Sequence, residues 1–264
     1  MNKLLETAIK AAIEAGGKIL EIYSKDFDVE FKADESPLTQ ADMASHQVIV
    51  KHLQPLGIPI LSEEGRDIPY AERKSWSRLW IVDPLDGTKE FVKRNGEFTV
   101  NIALIEHGRP VMGVIYIPVT GVLYFASAET GARKVEGVGE WKEGRLEYWV
   151  EHSQRLPIDY DRKVFTIVGS KSHMTPETAE YMEKLKQEHG EVEVLSRGSS
   201  LKITMVAEGA ADIYPRFAPT MEWDVAAGHA IVRFAGGRMV QADDGEELVY
   251  NKEELLNPWF IVRR

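Results

Sequence analysis

The chain has 264 residues, 44% of them hydrophobic and 28% charged, with a formal net charge of -10, no cysteine and 7 histidines. Such proportions belong to a globular protein with one large core or two adjoining ones, and the lack of cysteine excludes disulfides, thiolate metal sites and thiol nucleophiles. The negative balance argues against a nucleic-acid partner, which needs basic surface, but leaves room for a small anion held through carboxylate-bound cations.

Taken in chain order, Leu4, Leu5, Ala8, Ile9, Ala12, Ile13, Ile19 and Leu20 recur at helical spacing and predict a first amphipathic helix. The charges at Glu6, Lys10, Glu14 and Lys18 interrupt it too often for a signal peptide. No apolar run approaches the roughly 20 residues of a membrane span, so a cytoplasmic enzyme is expected, with contact at the inner membrane surface left open. A second helix is expected from near Thr39, with Ala41, Ala44, Val48 and Leu53 inward.

β-rich runs follow at Leu79 to Val82, Phe98 to Ile105, Val111 to Ile117 and Val122 to Ser127, the last three separated by turn sequences. They predict an antiparallel meander with the first two helices on one face. Glu136 to Arg162 reads as polar and irregular, and a domain junction is placed there. Beyond it, strands at Val164 to Gly169, Val192 to Leu195 and Ala211 to Pro215 alternate with helices at Pro176 to Glu188, Ser200 to Glu208 and Trp223 to Phe234. Closing strands end the chain. The expected architecture is a layered α/β sandwich: residues 1–150 form a helix-covered antiparallel sheet, and residues 151–264 a mixed α/β half.

Acidic residues cluster where strands end. In Trp80-Ile81-Val82-Asp83-Pro84-Leu85-Asp86-Gly87-Thr88, an apolar strand reaches Asp83, and Asp86 follows three residues later. Pro84 lacks the N–H a central strand needs, so a turn is expected there, with a helix from Thr88. Two carboxylates beside a helix start can hold hard cations while backbone N–H groups receive a phosphate. Alone, the string reads equally as a turn whose Asp86 caps a helix.

Three further features argue against that bland reading. Leu61-Ser62-Glu63-Glu64-Gly65 also ends an apolar run in carboxylates, although Glu64 can equally belong to a solvated turn. Lys32 to Asp42 contains Asp34, a possible base or ligand, and Asp42, which can merely cap or decorate a helix. Trp223-Asp224 places a carboxylate on a helix made for close packing by Ala226, Ala227 and Gly228. Oxygen donors suit Mg²⁺, whereas no histidine pair has zinc spacing and no Gly-rich phosphate loop is present.

With these residues in place, the chain resembles the inositol monophosphatase superfamily, and within it the 3'(2'),5'-bisphosphate nucleotidase branch. The superfamily marks are Ser62-Glu63-Glu64, Asp83-Pro84-Leu85-Asp86-Gly87-Thr88 and Trp223-Asp224. The branch marks are Lys32-Ala33-Asp34, Ser36 to Thr39, Lys89-Glu90-Phe91, Gly198 to Lys202 and Tyr214 to Phe217. The resemblance implies a Mg²⁺-dependent, lithium-sensitive phosphomonoesterase with a sugar-phosphatase-like fold. Glu63, Asp83 and the Leu85 carbonyl would hold one Mg²⁺, and Asp83, Asp86 and Asp224 a second. Asp34 would help hold a third ion or its water and pair with Thr88 to orient the nucleophile. Gly87 and Thr88 would donate to the phosphate, and His173, Ser199, Lys202 and Arg216 would surround the nucleotide. The implied substrate is adenosine 3',5'-bisphosphate, a by-product of sulfate assimilation, with 3'-phosphoadenylyl sulfate as a second. Inositol monophosphate or a sugar phosphate is the alternative substrate, and a non-catalytic metal or phosphometabolite sensor the alternative class. The family includes monomers and homodimers, and either is expected here.

Overall fold

The computed structural model describes residues 1–25, 37–141, 146–169 and 175–264. Its first half contains α1 (Asn2–Tyr23), α2 (Pro37–Leu53), β1 (Ile60–Ser62), α3 (Tyr70–Arg73), β2 (Arg78–Asp86), α4 (Thr88–Val92), β3 (Thr99–Glu106), β4 (Arg109–Ile117), β5 (Val122–Ser127) and β6 (Gly131–Val135). There follow α5 (Leu146–Glu151), β7 (Gln154–Arg155), β8 (Phe165–Gly169), α6 (Pro176–His189), β9 (Val192–Ser196), α7 (Leu201–Glu208), β10 (Ile213–Arg216), α8 (Glu222–Phe234), β11 (Arg238–Gln241) and β12 (Phe260–Arg263).

Two sheets result, a seven-stranded one in the order β1-β2-β3-β4-β5-β6-β7 and a five-stranded one in the order β11-β12-β10-β8-β9. The meander from β2 to β5 is antiparallel as expected and continues so through β6 and β7, strands not expected from the sequence, while β1 joins β2 in parallel. The second sheet is mixed: β8 pairs in parallel with β9 and β10, and β12 runs antiparallel to β10 and β11.

Strand alternation sorts the side chains into layers. Trp80, Val82, Val100, Ile102 and Leu104 face α1 and α2, whereas Leu79, Ile81, Ala103 and Ile105 face α7, α8 and the second sheet. Ile167 and Ile213 turn away from that core to meet Met182 and Leu185 of α6. The order of layers is therefore helices, sheet, helices, sheet, helix. α8 lies close against the first sheet because Gly113 of β4 has no side chain; a Cβ there would stand 2.3 Å from the Ala227 carbonyl oxygen.

Three local expectations differ from what is observed. On α2 the buried ridge runs every fourth residue through Ala41, Ser45, Ile49 and Leu53, leaving Ala44 and Val48 half-buried and taking Asp42 inside. β2 does not turn at Pro84 but continues to Asp86 through a register shift between Asp83 and Asp86. A bulge asks no ladder hydrogen bond of proline, which is why it is tolerated. Within Glu136 to Arg162, α5 buries Leu146 and Trp149 against the α1 face, and β7 extends the first sheet. Among the described residues, no helix is long and apolar enough to cross a membrane.

Candidate functional site

The parallel register of β1 on β2 sets Ser62 beside Val82, so the next residues, Glu63 and Asp83, emerge side by side at the same sheet end. The Glu63 N–H donates to the Val82 carbonyl at 3.2 Å, fixing that juxtaposition. Two carboxylates expected from separate motifs thus meet because two apolar strands pair in register. Asp83 Oδ1 accepts from Leu85 N–H at 3.1 Å, and Ser45 Oγ of α2 donates to the Pro84 carbonyl at 2.7 Å, so the bulge is held from within and from the helix behind it. Gly87 then turns the chain into α4 at φ 104, a conformation open to glycine, with Phe98 Cα only 3.2 Å from where a Cβ would sit.

The remaining carboxylate arrives from the other half. Asp224 sits in the first turn of α8, where its Oδ2 accepts from Met221 N–H at 2.9 Å. It is both a helix cap and a wall of the cleft. That cleft, of about 240 Å³, is lined by Glu63, Asp83, Leu85, Asp86, Gly87, Thr88 and Asp224. Ser199, Ser200, Lys202, Tyr214 and Arg216 complete its lining. Every expected site residue within the described set therefore reaches one cavity. Asp34 and His173 lie outside the described residues.

The acidic residues are electrostatically strained. Asp83 is fully buried, and its carboxyl is pushed well above the usual range by burial, then by Asp86, Glu63, Asp224 and Asp42. Burial also raises Asp224 to about 7, with Asp86 and Glu63 adding to it. Glu63 is raised by burial and by Asp86 and Glu64, against the lowering effect of its hydrogen bond with Asp83. These are oxygen donors whose charge the neighbouring protein does not neutralise, which is the chemistry a hard divalent cation satisfies. Among the described residues, no three acidic or histidine side chains are already gathered as ligands around one point. Asp83, Asp86 and Asp224 each give an oxygen to a protein donor, and a carboxylate has a second to offer.

The same cleft also carries cations. Lys202 is 6% exposed, and burial lowers its ammonium to about 8, with Arg216 lowering it further and Asp86 opposing. Its Nζ donates to the Ser199 carbonyl at 2.7 Å and lies 5.7 Å from the centre of the Tyr214 ring. Arg216 Nη2 donates to the Pro219 carbonyl at 3.1 Å, while its buried Nε has no hydrogen-bond partner among the described residues. Two mutually repelling cations at one cavity have the chemistry to attract an anion. The Ser199 hydroxyl is engaged with Asp86 and Thr99.

Sequence reasoning missed two sets of residues here. Asp42 is 8% exposed, and its carboxyl is raised to about 8 by burial and then by Glu64 and Glu63. No local signal separated it from a surface residue, because its burial depends on how α2 packs. Thr99 and Asn101 did carry a signal: two polar residues inside the apolar run of β3 must be hydrogen-bonded if buried, and they are.

Residues 1–259 match the inositol monophosphatase family. The chain is 47% identical over 266 residues to the 3'(2'),5'-bisphosphate nucleotidase CysQ of Escherichia coli strain K12, covering 98% of this chain and 99% of that protein. It is 32% identical over 262 residues to CysQ of Haemophilus influenzae, covering 98% of this chain and 92% of that one. Among solved structures, CysQ from Bacteroides thetaiotaomicron matches with a TM-score of 0.96 at 56% identity, covering 100% of this chain and 97% of that one. Inositol monophosphatase-II from Staphylococcus aureus shares the fold, with a TM-score of 0.73 at 24% identity over 99% of this chain and 89% of that one.

Proposed function

This chain belongs to the inositol monophosphatase family, and on that premise we propose that it is a 3'(2'),5'-bisphosphate nucleotidase, releasing phosphate from adenosine 3',5'-bisphosphate to leave AMP. The observation that carries the choice of substrate is the lining of the cleft, where Lys202 and Arg216 join the carboxylates. A bisphosphate has one phosphate for each set of residues. An inositol monophosphate or a sugar monophosphate has no second phosphate to offer Lys202 and Arg216.

Enzymes of this family depend on metal, typically Mg²⁺. The residues suited to hold it are Glu63, Asp83 and the Leu85 carbonyl for one ion, and Asp83, Asp86 and Asp224 for a second. When bound, Mg²⁺ supplies Lewis acidity, lowering the pKa of a water and offsetting charge on the phosphate. The chain's own groups do the rest. Thr88 orients the nucleophilic water, and the Gly87 and Thr88 N–H groups donate to the phosphate oxygens. Asp34 is the proton acceptor implied by resemblance. Lys202 and Arg216 hold the 5'-phosphate, which is not cleaved, and so fix the distance at which the 3'-phosphate meets the acidic residues.

The test is phosphate release, with and without Mg²⁺, from adenosine 3',5'-bisphosphate, 3'-phosphoadenylyl sulfate, 3'-AMP, inositol 1-phosphate and a hexose phosphate. Chelation is expected to abolish activity and Mg²⁺ to restore it. A preference for inositol 1-phosphate over the bisphosphate would overturn the substrate, and no release from any of them would favour a sensor.

A further inference from the structure

Behind Asp86 lies a group of buried polar side chains for which the proposed reaction has no use. β3 runs along β2 with Thr99 opposite Asp86 and Asn101 opposite Asp83. Thr99, Asn101 and Ser200 are each almost wholly buried, at 0%, 1% and 2% exposure. In such surroundings an unpaired hydroxyl or amide is costly, so they bond to one another and to Asp86, with Ser200 Oγ also 3.1 Å from the Asp224 carbonyl oxygen.

The set converges on one atom. Asp86 Oδ2 accepts from Ser200 N–H at 2.8 Å, from Ser200 Oγ at 2.8 Å, from Asn101 Nδ2 at 3.4 Å and from Ser199 Oγ. Asn101 Nδ2 also donates to Ser200 Oγ at 2.9 Å, and Thr99 Oγ1 donates to Asn101 Oδ1 at 3.0 Å. Donor counting fixes the Asn101 amide: its NH₂ must face the carboxylate, which only accepts, and its oxygen then falls to the Thr99 hydroxyl. Thr99 thus orients Asn101, and Asn101 and Ser200 orient Asp86.

The other side of the arrangement belongs to the turn before α7. Ser199 adopts φ 48, a left-handed conformation unfavourable for a residue with a Cβ. Neighbours hold that turn in place, since Gly198 N–H donates to Glu97 Oε2 at 2.7 Å and Lys202 Nζ to the Ser199 carbonyl at 2.7 Å. A strained turn pinned on both sides delivers three of the four donors to a single carboxylate oxygen. All four bonds use Oδ2, while Asp86 itself lines the cleft.

We propose that Thr99, Asn101 and Ser200 are positioning residues for metal binding: they clamp Asp86 by Oδ2 so that Oδ1 is presented to the divalent cation. The proposal rests on the reading of Asp86 as a ligand. Among neighbouring carboxylates that repel it, an unclamped Asp86 would turn away and would have to be reordered at each binding event. A fixed one meets the cation without that cost, the role hydrogen-bonding partners play behind metal ligands elsewhere.

The experiment is calorimetric titration of the metal-free protein with Mg²⁺, for wild type, Ser200→Ala, Thr99→Val, Thr99→Ser and Asp86→Asn, beside thermal unfolding of each in chelator. Thr99→Val keeps the shape and loses the hydroxyl, and it carries the test if Ser200→Ala fails to fold. Ser200→Ala and Thr99→Val are expected to weaken Mg²⁺ binding about tenfold or more. Thr99→Ser, which restores the hydroxyl, is expected to bind close to wild type. A network serving only the turn would lower thermal stability in chelator and leave the Mg²⁺ dissociation constants unchanged. That result, with Mg²⁺ binding lost in Asp86→Asn, overturns the positioning role alone. Wild-type binding in Asp86→Asn overturns the ligand reading and the proposal with it.

Discussion

Asp42→Asn should stabilise the metal-free protein, and more so as the pH rises. The Asp42 carboxyl ionises at about 8 in the fold, against 3.8 for an unperturbed aspartate. Its folded pKa is raised, so the fold favours the protonated form, and the resulting stability is lost as pH climbs from the unfolded value through the folded one. Each pH unit in that window costs the fold about 1.4 kcal/mol. Asparagine has the same shape and nothing to ionise. Between about pH 5 and about pH 7.5, the variant's advantage over wild type should therefore widen by about 3 kcal/mol, a sizeable part of a typical domain's 5–15 kcal/mol. The assay is urea denaturation of both proteins in chelator at those two pH values. Mg²⁺ should narrow the gap by neutralising the carboxylates that repel Asp42, of which Glu64 and Glu63 are the ones involved. An advantage that stays constant across the two pH values, or a wild type more stable than the variant at the higher one, would refute the argument.

Asp83→Asn replaces a fully buried carboxyl whose ionisation is opposed by burial and then by four neighbouring carboxylates, so the metal-free protein should unfold at higher temperature while turnover collapses; near wild-type turnover at saturating Mg²⁺ would reduce Asp83 to a bulge residue. Arg216→Ala should depress kcat/KM for adenosine 3',5'-bisphosphate by about ten- to a hundredfold, the worth of a charge-assisted contact, and spare 3'-AMP, which lacks the 5'-phosphate. Equal losses on both substrates would remove Arg216 from the anion site. Mg²⁺ affinity should fall as pH drops below about 7, because protons then compete for Asp224; calorimetry at two pH values would read it directly. Lithium should inhibit, as the family resemblance implies, and undiminished phosphate release in its presence would count against that assignment.

The elements of this fold are largely written locally. The α1 stripe, the turns of the meander and the alternation after Phe165 each follow from periodicity within a short window, and each element stands where periodicity puts it. The residues that fail the local rules belong to the site. Pro84 sits in a strand because a register shift there asks no ladder hydrogen bond of it. Asp42 looks like a surface residue because nothing within its helix records that Glu63 and Glu64 stand opposite. Ser199 is a left-handed serine whose partners, Thr99 and Asp86, lie about a hundred residues away in sequence. Long-range register made these neighbours, and no window along the chain contains it.

That division has a physical cause. Asp83, Asp224, Glu63 and Asp42 are each raised by burial and by one another, so the fold holds together groups that would separate if stability alone were served. The same repulsion that burdens the metal-free protein is the attraction a divalent cation feels, because a site that dislikes its own charge gains most from a counter-ion. It also explains how a chain of net charge -10 can take a polyanionic substrate. On the proposed reading, Asp83, Asp86 and Asp224 would supply the charge that cations reverse, and Lys202 and Arg216 positive charge that needs no cation. Weakening the acidic residues should therefore alter metal binding and the pH dependence of stability together, whereas Arg216→Ala should act first on substrate choice.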